Sequence, residues 1–343
     1  MASGCGTSDG KRLAGFLVTL AVGRDSRIRQ SLNYNGQLGM RIFLTGATGY
    51  LGSAVLDAMV RAGHDVTALV RDPERGERIA HRGVQAVVGE LSKGTSYVEK
   101  AETCDAIVHA AIEPTKRGPK VDRQAIDNLL GAAGRRAAEG KPASFIYTSG
   151  LWVLGDTQGQ ATEEWPLQPP AHVAWRVEHE RVVLERDGKG VRTAVIRPGI
   201  VYGGSRGIVG DLLRDALNGL VRVVGDGRNH WPCVYDRDLA DLYVKVVTQT
   251  DASGIFHAND EADERVDDIV DAIARHTKMT PDVRHVPIGE ARTKLGTYAD
   301  ALALDQIVRS PRARALGWSP TLHSVSANVP RLLEEYRNAR EAA

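Results

Sequence analysis

A chain of 343 residues exceeds the usual single-domain size and can bury a sizeable core, so two interlocked lobes are expected. Its 44 lysines and arginines nearly cancel its 43 aspartates and glutamates, which leaves no net field to gather nucleic acid or anionic membrane. Cys5, Cys104 and Cys233 lie far apart without metal-ligand spacing, a usage that suits a reducing cytoplasm and implies no metal.

Residues 1–39 differ in composition from the rest. Their one apolar stretch, Leu13 to Val22, is too short to span a bilayer. Lys11 and Arg12 precede it as they would in a signal peptide, but no small-x-small cleavage site follows cleanly. The expectation is a poorly ordered, dispensable extension ahead of Met40, after which the first strand begins at once.

From Arg41, short β-branched runs alternate with helix-length segments. RIFLT is followed by a helix from Leu51 to Ala62, then by DVTALV, VQAVV and DAIVHA, a helix from Arg123 to Glu139, and SFIYTS. A helix from Val173 to Arg186 and the strand VRTAVI come next. Strands alternating with helices at this spacing predict an α/β fold with a parallel sheet covered on both faces. The strands are apolar without strict alternation, as doubly covered strands are. The Rossmann core is assigned to 40–165, with 172–203 and 235–250 joining it; 204–340 is assigned mainly to a smaller, interleaved substrate lobe.

Between the first strand and the first helix lies Thr45-Gly46-Ala47-Thr48-Gly49-Tyr50-Leu51-Gly52. That is the context of a dinucleotide fingerprint. Gly46 permits a tight turn, Gly49 a close approach to pyrophosphate, and Gly52 close packing of helix on strand, while the helix amides face the phosphates. The spacing is GxxGxxG, one residue longer than the general GxGxxG.

This loop resembles that of the extended short-chain dehydrogenases/reductases and epimerases, and further motifs of the family follow in order. They are GEL from Gly89, VHAA from Val108, YTSG from Tyr147, RPGIVYG from Arg197, YDRDLAD from Tyr235 and LGWSP from Leu316. The resemblance covers about Met40 to Arg337 and implies a doubly wound Rossmann sheet, a nicotinamide cofactor and a small-molecule substrate. It also implies that Glu90 and Leu91 lie near the adenine, that Ala110 and Ala111 line the cofactor channel, and that Pro198 and Val201 lie by the nicotinamide. The oligomeric state stays open, a homodimer included.

The second strand ends at Val70, where an NAD enzyme is expected to offer an acid to the ribose. Valine cannot do so, and Arg71 can instead pair with a 2′-phosphate, so NADP(H) is preferred over NAD(H). Asp72 can still serve a ribose.

The family's proton donor is the tyrosine of a YxxxK pair. Aligning Glu180 with the glutamate that follows that lysine puts His172 in place of the tyrosine and Arg176 in place of the lysine. Histidine keeps a titratable donor, and arginine can hold ribose hydroxyls or a substrate carboxylate. A solvent-facing role for His172 and a shifted register with Tyr147 or Tyr202 as the acid stay open. The family's substrate-binding serine falls on Gly150, so Thr148 or Ser149 would take its part. Trp152, Trp165, Trp175, Trp231, His230, Tyr235 and Asp236 are candidates for the substrate pocket. Two functions follow: an NAD(P)-dependent oxidoreductase or epimerase-like enzyme acting on a small carbonyl or hydroxyl compound, or an inactive NADP-binding regulator or scaffold.

Overall fold

The computed structural model describes residues 39–80, 82–277 and 280–341; apart from residue 39, the amino-terminal extension lies outside them. The first half alternates as expected through β1 (Arg41–Thr45), α1 (Tyr50–Arg61), β2 (Asp65–Val70), α2 (Pro73–Ala80), β3 (Gln85–Val88), α3 (Val98–Glu102), β4 (Ala106–His109), α4 (Gly118–Ala138) and β5 (Ser144–Thr148). After a short turn at Leu151–Leu154 come β6 (Gln160–Ala161), α5 (Trp175–Leu184), β7 (Arg192–Pro198), β8 (Ile200–Tyr202) and α6 (Gly207–Leu217). The chain continues with β9 (Leu220–Val224), β10 (His230–Trp231), β11 (Cys233–Tyr235), α7 (Asp236–Thr248) and β12 (Gly254–Ala258). It closes with β13 (Glu264–Arg265), α8 (Val266–Arg275), β14 (Asp282–Val286), α9 (Ile288–Leu295), α10 (Tyr298–Leu302), β15 (Ile307–Val308), α11 (Pro311–Ala315) and α12 (Val329–Glu341).

Seven of these strands form one parallel sheet in the order β12-β7-β5-β4-β1-β2-β3. The chain winds outward from β1 through β2 to β3, then returns to the other side of β1 as β4. The carboxyl ends of β1 and β4 therefore flank the switch point at which such sheets bind ligands. α4 begins earlier than its apolar pattern suggests because Pro119, in its first turn, has no amide that needs a partner. β3 is an edge strand and leaves Val88 48% exposed, unlike the doubly covered strands beside it. The last strand, β12, comes from a segment the sequence reading did not assign to the sheet.

Leu239, Leu242 and Val246 of α7 pack with Val55, Leu56 and Met59 of α1 over one face of the sheet. On the other face, Ile126, Leu129 and Leu130 of α4 meet Phe43, Ile107 and Phe145. A separate apolar core, with Leu213 of α6, Ile269 of α8 and Leu332 of α12, holds the second lobe. No described helix is long and apolar enough to cross a membrane.

α5 is fixed to the sheet by charge as well as packing. Glu180 and Arg197 of β7 are each 2% exposed and pair at 2.6 Å, with Arg197 Nε adding bonds of 3.1 and 3.2 Å to the same carboxylate. His257 of β12 lies 3.4 Å from Arg197, and burial together with that guanidinium pushes its pKa down to about 3, so it adds no second cation. Removing one partner leaves a buried charge uncompensated. Glu180→Gln is expected to lower unfolding stability by about 3 to 5 kcal/mol in urea titrations at pH 7, and a double Glu180→Leu, Arg197→Met variant to recover most of that loss.

Candidate active site

The glycine loop has the backbone geometry that a dinucleotide needs. Gly46 has φ +82, and a Cβ there would lie 2.7 Å from Ala110 O; a Cβ on Gly52 would lie 2.0 Å from Gly46 O. Only glycine lets β1, β4 and α1 approach so closely. Gly49 donates to Gly46 O at 2.8 Å and caps α1 without a side chain; Ala47 and Thr48 complete the turn, and Leu51 lies in the first turn of α1. The first turn of α1 carries no acid, so its amides and dipole are left for an anion. Such a cradle fits the pyrophosphate of a dinucleotide.

At the edge of β2, Val70 is buried and Arg71 is exposed with no ion-pair partner among the described residues. Asp72 is engaged: its Oδ1 accepts from Arg75 N at 2.9 Å and its carboxylate pairs with the Arg75 guanidinium. The open group at this edge is a cation. Glu90 pairs with Lys93 at 3.0 Å, and Leu91 packs beside Ile107 while its carbonyl accepts from Tyr97 OH. Ala111 N donates to Thr45 Oγ1 at 3.3 Å, which holds the end of β4 against the loop.

Beyond the loop opens a cavity of about 1140 Å³. Its wall includes Tyr50, Ser149, Gly150, His172, Arg176, Pro198 and Val201, so the structure brings together residues that the sequence scatters over 152 positions (50 to 201). Trp152 and Trp175 also line it; Trp165, Trp231, His230, Tyr235 and Asp236 do not. Trp231 instead donates to Leu302 O from the second core, and His230 pairs with Asp305. Ile112 to Lys116, Gly118, Pro119, Ile208, Thr297 and Gln306 also line it, none of them singled out by sequence.

The catalytic candidates differ in their commitments. Ser149 is 6% exposed, and its Oγ has no hydrogen-bond partner among the described residues. Thr148 Oγ1 instead bonds Tyr243 OH at 2.6 Å, turned toward α7. His172 sits just before α5, against the rings of Trp152 and Tyr298, with Nδ1 3.4 Å from Thr297 Oγ1. Partial burial and the nearby Arg176 charge lower its pKa from the ordinary histidine value. Arg176 lies one helical turn on, its guanidinium 4.5 Å from the Trp175 ring centre, and donates to Thr148 O at 3.0 Å. Tyr147 and Tyr202 are buried and off the wall; burial raises both hydroxyls well above the ordinary tyrosine pKa.

Behind the wall runs a chain of polar groups that the sequence did not reveal. Arg176 Nη1 donates to Tyr147 OH at 3.3 Å, and Tyr147 donates to Asp122 Oδ2 at 2.8 Å. His179 Nδ1 reaches the same oxygen at 2.7 Å, and His109 Nε2 reaches Oδ1 at 3.2 Å. His109 Nδ1 meets Thr45 Oγ1 at 2.7 Å, directly before the glycine loop. A His109 proton on Nε2 satisfies both contacts, with Thr45 donating onward to Nδ1. Burial works to raise the Asp122 pKa, but the bonds from His109 and His179 win and hold it well below the usual carboxylate range. His179 thus faces inward to Asp122 while His172 faces the cavity. Among the described residues no three His, Cys, Asp or Glu side chains form a metal-holding group.

The model of the NAD dependent epimerase/dehydratase family matches residues 42–258. The chain belongs to this family. An uncharacterized protein of Schizosaccharomyces pombe, C2A9.02, is 30% identical over 292 residues, covering 82% of this chain and 95% of that one. A 4-hydroxy-2-methyl-3-oxo-4-farnesyl-3,4-dihydroquinoline-1-oxide ketoreductase of Stigmatella aurantiaca is 33% identical over 48% of this chain and 51% of its own. Among solved structures, a Thermus thermophilus UDP-glucose 4-epimerase with NAD superposes with TM-score 0.72 at 19% identity, covering 88% of this chain and 100% of that one. The human epimerase family protein SDR39U1 with NADPH superposes with TM-score 0.70 at 18% identity, covering 86% and 99%. These two structural likenesses concern the fold.

Within this family member, Asp122 has a sequence signal in hindsight. It shares a helical stripe with Ala125, Ile126 and Leu129, and an acid on an apolar stripe is either unstable or surrounded by donors. Three donors converge on its two oxygens, and an amide would turn one of those oxygens into a donor. Asp122→Asn is therefore expected to cost about 1 to 3 kcal/mol of unfolding stability, measured in urea, and to broaden the NMR signals of the Arg176 guanidinium.

Proposed function

We infer that the protein is an NADP-preferring reductase or dehydrogenase acting on a carbonyl or secondary hydroxyl borne on a largely apolar body. The observation that carries this reading is the shared cavity: Ser149, whose buried hydroxyl has no partner among the described residues, lines one wall with His172, Arg176 and Tyr50 from the start of α1, and that wall is rich in Trp152, Trp175, Ile200, Val201 and Ile208. Hydride transfer to a carbonyl needs a hydrogen bond to its oxygen and a proton donor within reach. A bound nicotinamide supplies or takes the hydride. Ser149 Oγ donates to the reacting oxygen, His172 gives or takes the proton, and Arg176, held by Thr148 O and Tyr147 OH, orients ribose or substrate. Pro198 and Val201 flank the nicotinamide, and residues 204–340 supply most of the substrate lobe. The ketoreductase among the relatives, with its farnesyl-bearing substrate, supports an apolar substrate body.

Arg71, without an ion-pair partner among the described residues at the edge of β2, is the group that favours a 2′-phosphate. NADPH is expected to bind about tenfold or more tightly than NADH, and Arg71→Ala to remove most of that difference, as charge-assisted hydrogen bonds of roughly 1.5 to 3 kcal/mol imply. Titration of cofactor fluorescence checks it; equal affinities in the parent protein defeat the assignment.

Because the His172 pKa is lowered, its protonated form is lost as pH rises through a value below 6.5. Reduction, which consumes that proton, falls with rising pH across this limb, and alcohol oxidation, which needs the neutral ring, rises. His172→Phe is expected to remove the limb and cost about a hundredfold to ten-thousandfold in turnover with NADPH affinity nearly unchanged. Carbonyl compounds screened for NADPH oxidation supply the assay. Tight NADPH binding with no turnover of any of them would favour the regulator reading.

A further inference from the structure

The His172 ring is held by residues of the second lobe that the sequence reading left unassigned. Thr297 and Tyr298 stand at the corner between α9 and α10, and Thr297 Oγ1 lies 3.4 Å from His172 Nδ1. Thr297 and His172 both line the cavity. Aromatic side chains bracket the same ring: its centre lies 6.2 Å from that of Trp152 and 5.2 Å from that of Tyr298, and those two are 5.8 Å apart.

The corner itself is fixed. Gly296 turns the chain with φ +60 and donates to Arg292 O at 2.9 Å. Ala299 and Ala301 are fully buried, and Arg292 of α9 pairs with Asp300 of α10 at 2.7 Å. On the other side, His172 O accepts from Trp175 Nε1 at 3.2 Å, and Val173 N donates to Pro170 O at 3.0 Å. Two held segments from different lobes thus meet at one ring nitrogen. At 3.4 Å the bond is long, as catalytic hydrogen bonds commonly are before substrate is bound.

Which nitrogen of a histidine carries the proton is set by the bond that the other makes. A threonine hydroxyl can donate or accept. Only if it accepts does one bond serve both protonation states, because the imidazolium and the neutral Nδ1–H ring each offer Nδ1–H. A hydroxyl that donates to Nδ1 must turn away when that nitrogen is protonated. We propose that Thr297 is a positioning residue for His172: its Oγ1 accepts from Nδ1–H, fixes the neutral ring in the Nδ1–H form, and leaves Nε2 as the nitrogen that exchanges a proton with substrate. In reduction the Nε2–H bond breaks as the substrate O–H bond forms, the carbonyl carbon taking a hydride from the nicotinamide. The Nδ1–H bond to Thr297 is kept throughout. The proposal rests on the reading of His172 as the proton donor. The charge that acts on the ring is that of Arg176 on α5; Tyr298 on α10 keeps its proton, because burial raises its pKa.

The test reads the ring itself, so that it does not depend on turnover. The NADP⁺-loaded full-length protein carrying ¹⁵N-histidine is titrated by long-range ¹H–¹⁵N NMR, the His172 signals being those that vanish in His172→Phe. Free histidine favours the Nε2–H form; His172 above its pKa is expected to be mostly Nδ1–H. Thr297→Val keeps the shape and removes the acceptor. In it the ring is expected to revert to Nε2–H and its pKa to fall by about half a unit to one unit, since the imidazolium loses an acceptor that the neutral ring can do without. Thr297→Ser restores the hydroxyl and is expected to return both properties. Thr297 is exposed, so neither substitution disturbs the core. A parent ring in the Nε2–H form, a Thr297→Val ring with parental form and pKa, or a Thr297→Ser ring that behaves as Thr297→Val each overturn the proposal. NADPH oxidation is followed separately with a carbonyl compound found by screening, where Thr297→Val is expected to lose about tenfold in kcat with KM and NADPH affinity within about twofold of the parent. The NMR changes without turnover of any carbonyl compound keep the Thr297 assignment and remove the reductase reading. Turnover that loses its pH limb in His172→Phe, with parental kcat and ring form in Thr297→Val, does the reverse.

Discussion

A carboxylate placed inside an apolar layered domain is costly unless donors surround it, and Asp122 is 3% exposed between α4 and the sheet. Its two oxygens receive His109 from β4, Tyr147 from β5 and His179 from α5. Each bond constrains a different element, and His109 and Tyr147 extend the constraint to Thr45 before the glycine loop and to Arg176 at the cavity. The glycine cradle and the wall that carries Arg176 are thus referred to one buried charge. Low dielectric strengthens every bond in such a network and penalises each one that is lost.

The second buried charge pair, Glu180 with Arg197, acts on the same helix from another side. Asp122 holds the face of α5 that carries His179 and Arg176 toward α4 and β5. Arg197 holds Glu180 toward β7, whose end at Pro198 forms part of the cavity wall. A helix fixed in two directions has little freedom to roll, which suits a site whose groups must keep their mutual distances.

The cavity wall differs from these two charged anchors. It carries Ser149, whose Oγ has no hydrogen-bond partner among the described residues, an exposed His172 ring, and the aromatic side chains of Trp152 and Trp175. Apolar and aromatic walls with a few polar groups among them are what a small-molecule site requires. His172 and Arg176 bring a titratable ring to this wall. They also leave a permanent cation beside it, and that cation helps lower the histidine's pKa.

The sequence by itself determined the local elements and the cofactor loop. Strand runs, helix stripes and Gly46, Gly49 and Gly52 act through short-range sterics and period, which are present in the chain before it folds. His172, Arg176, Ser149, Pro198 and Val201, which the family motifs single out, line one cavity. Only the tertiary structure decided what depends on convergence across long separations. It turned Thr148 toward Tyr243 and put Trp231 in a separate core. It engaged Asp72 with Arg75 while leaving Arg71 without an ion pair among the described residues, and it bonded Gln306 to Leu151 O and Gly155 O. The buried Asp122 network belongs to the same class, because whether an acid on an apolar stripe is stable depends on donors from three other elements. No pattern of spacing along the chain records which of a residue's two faces those elements will meet.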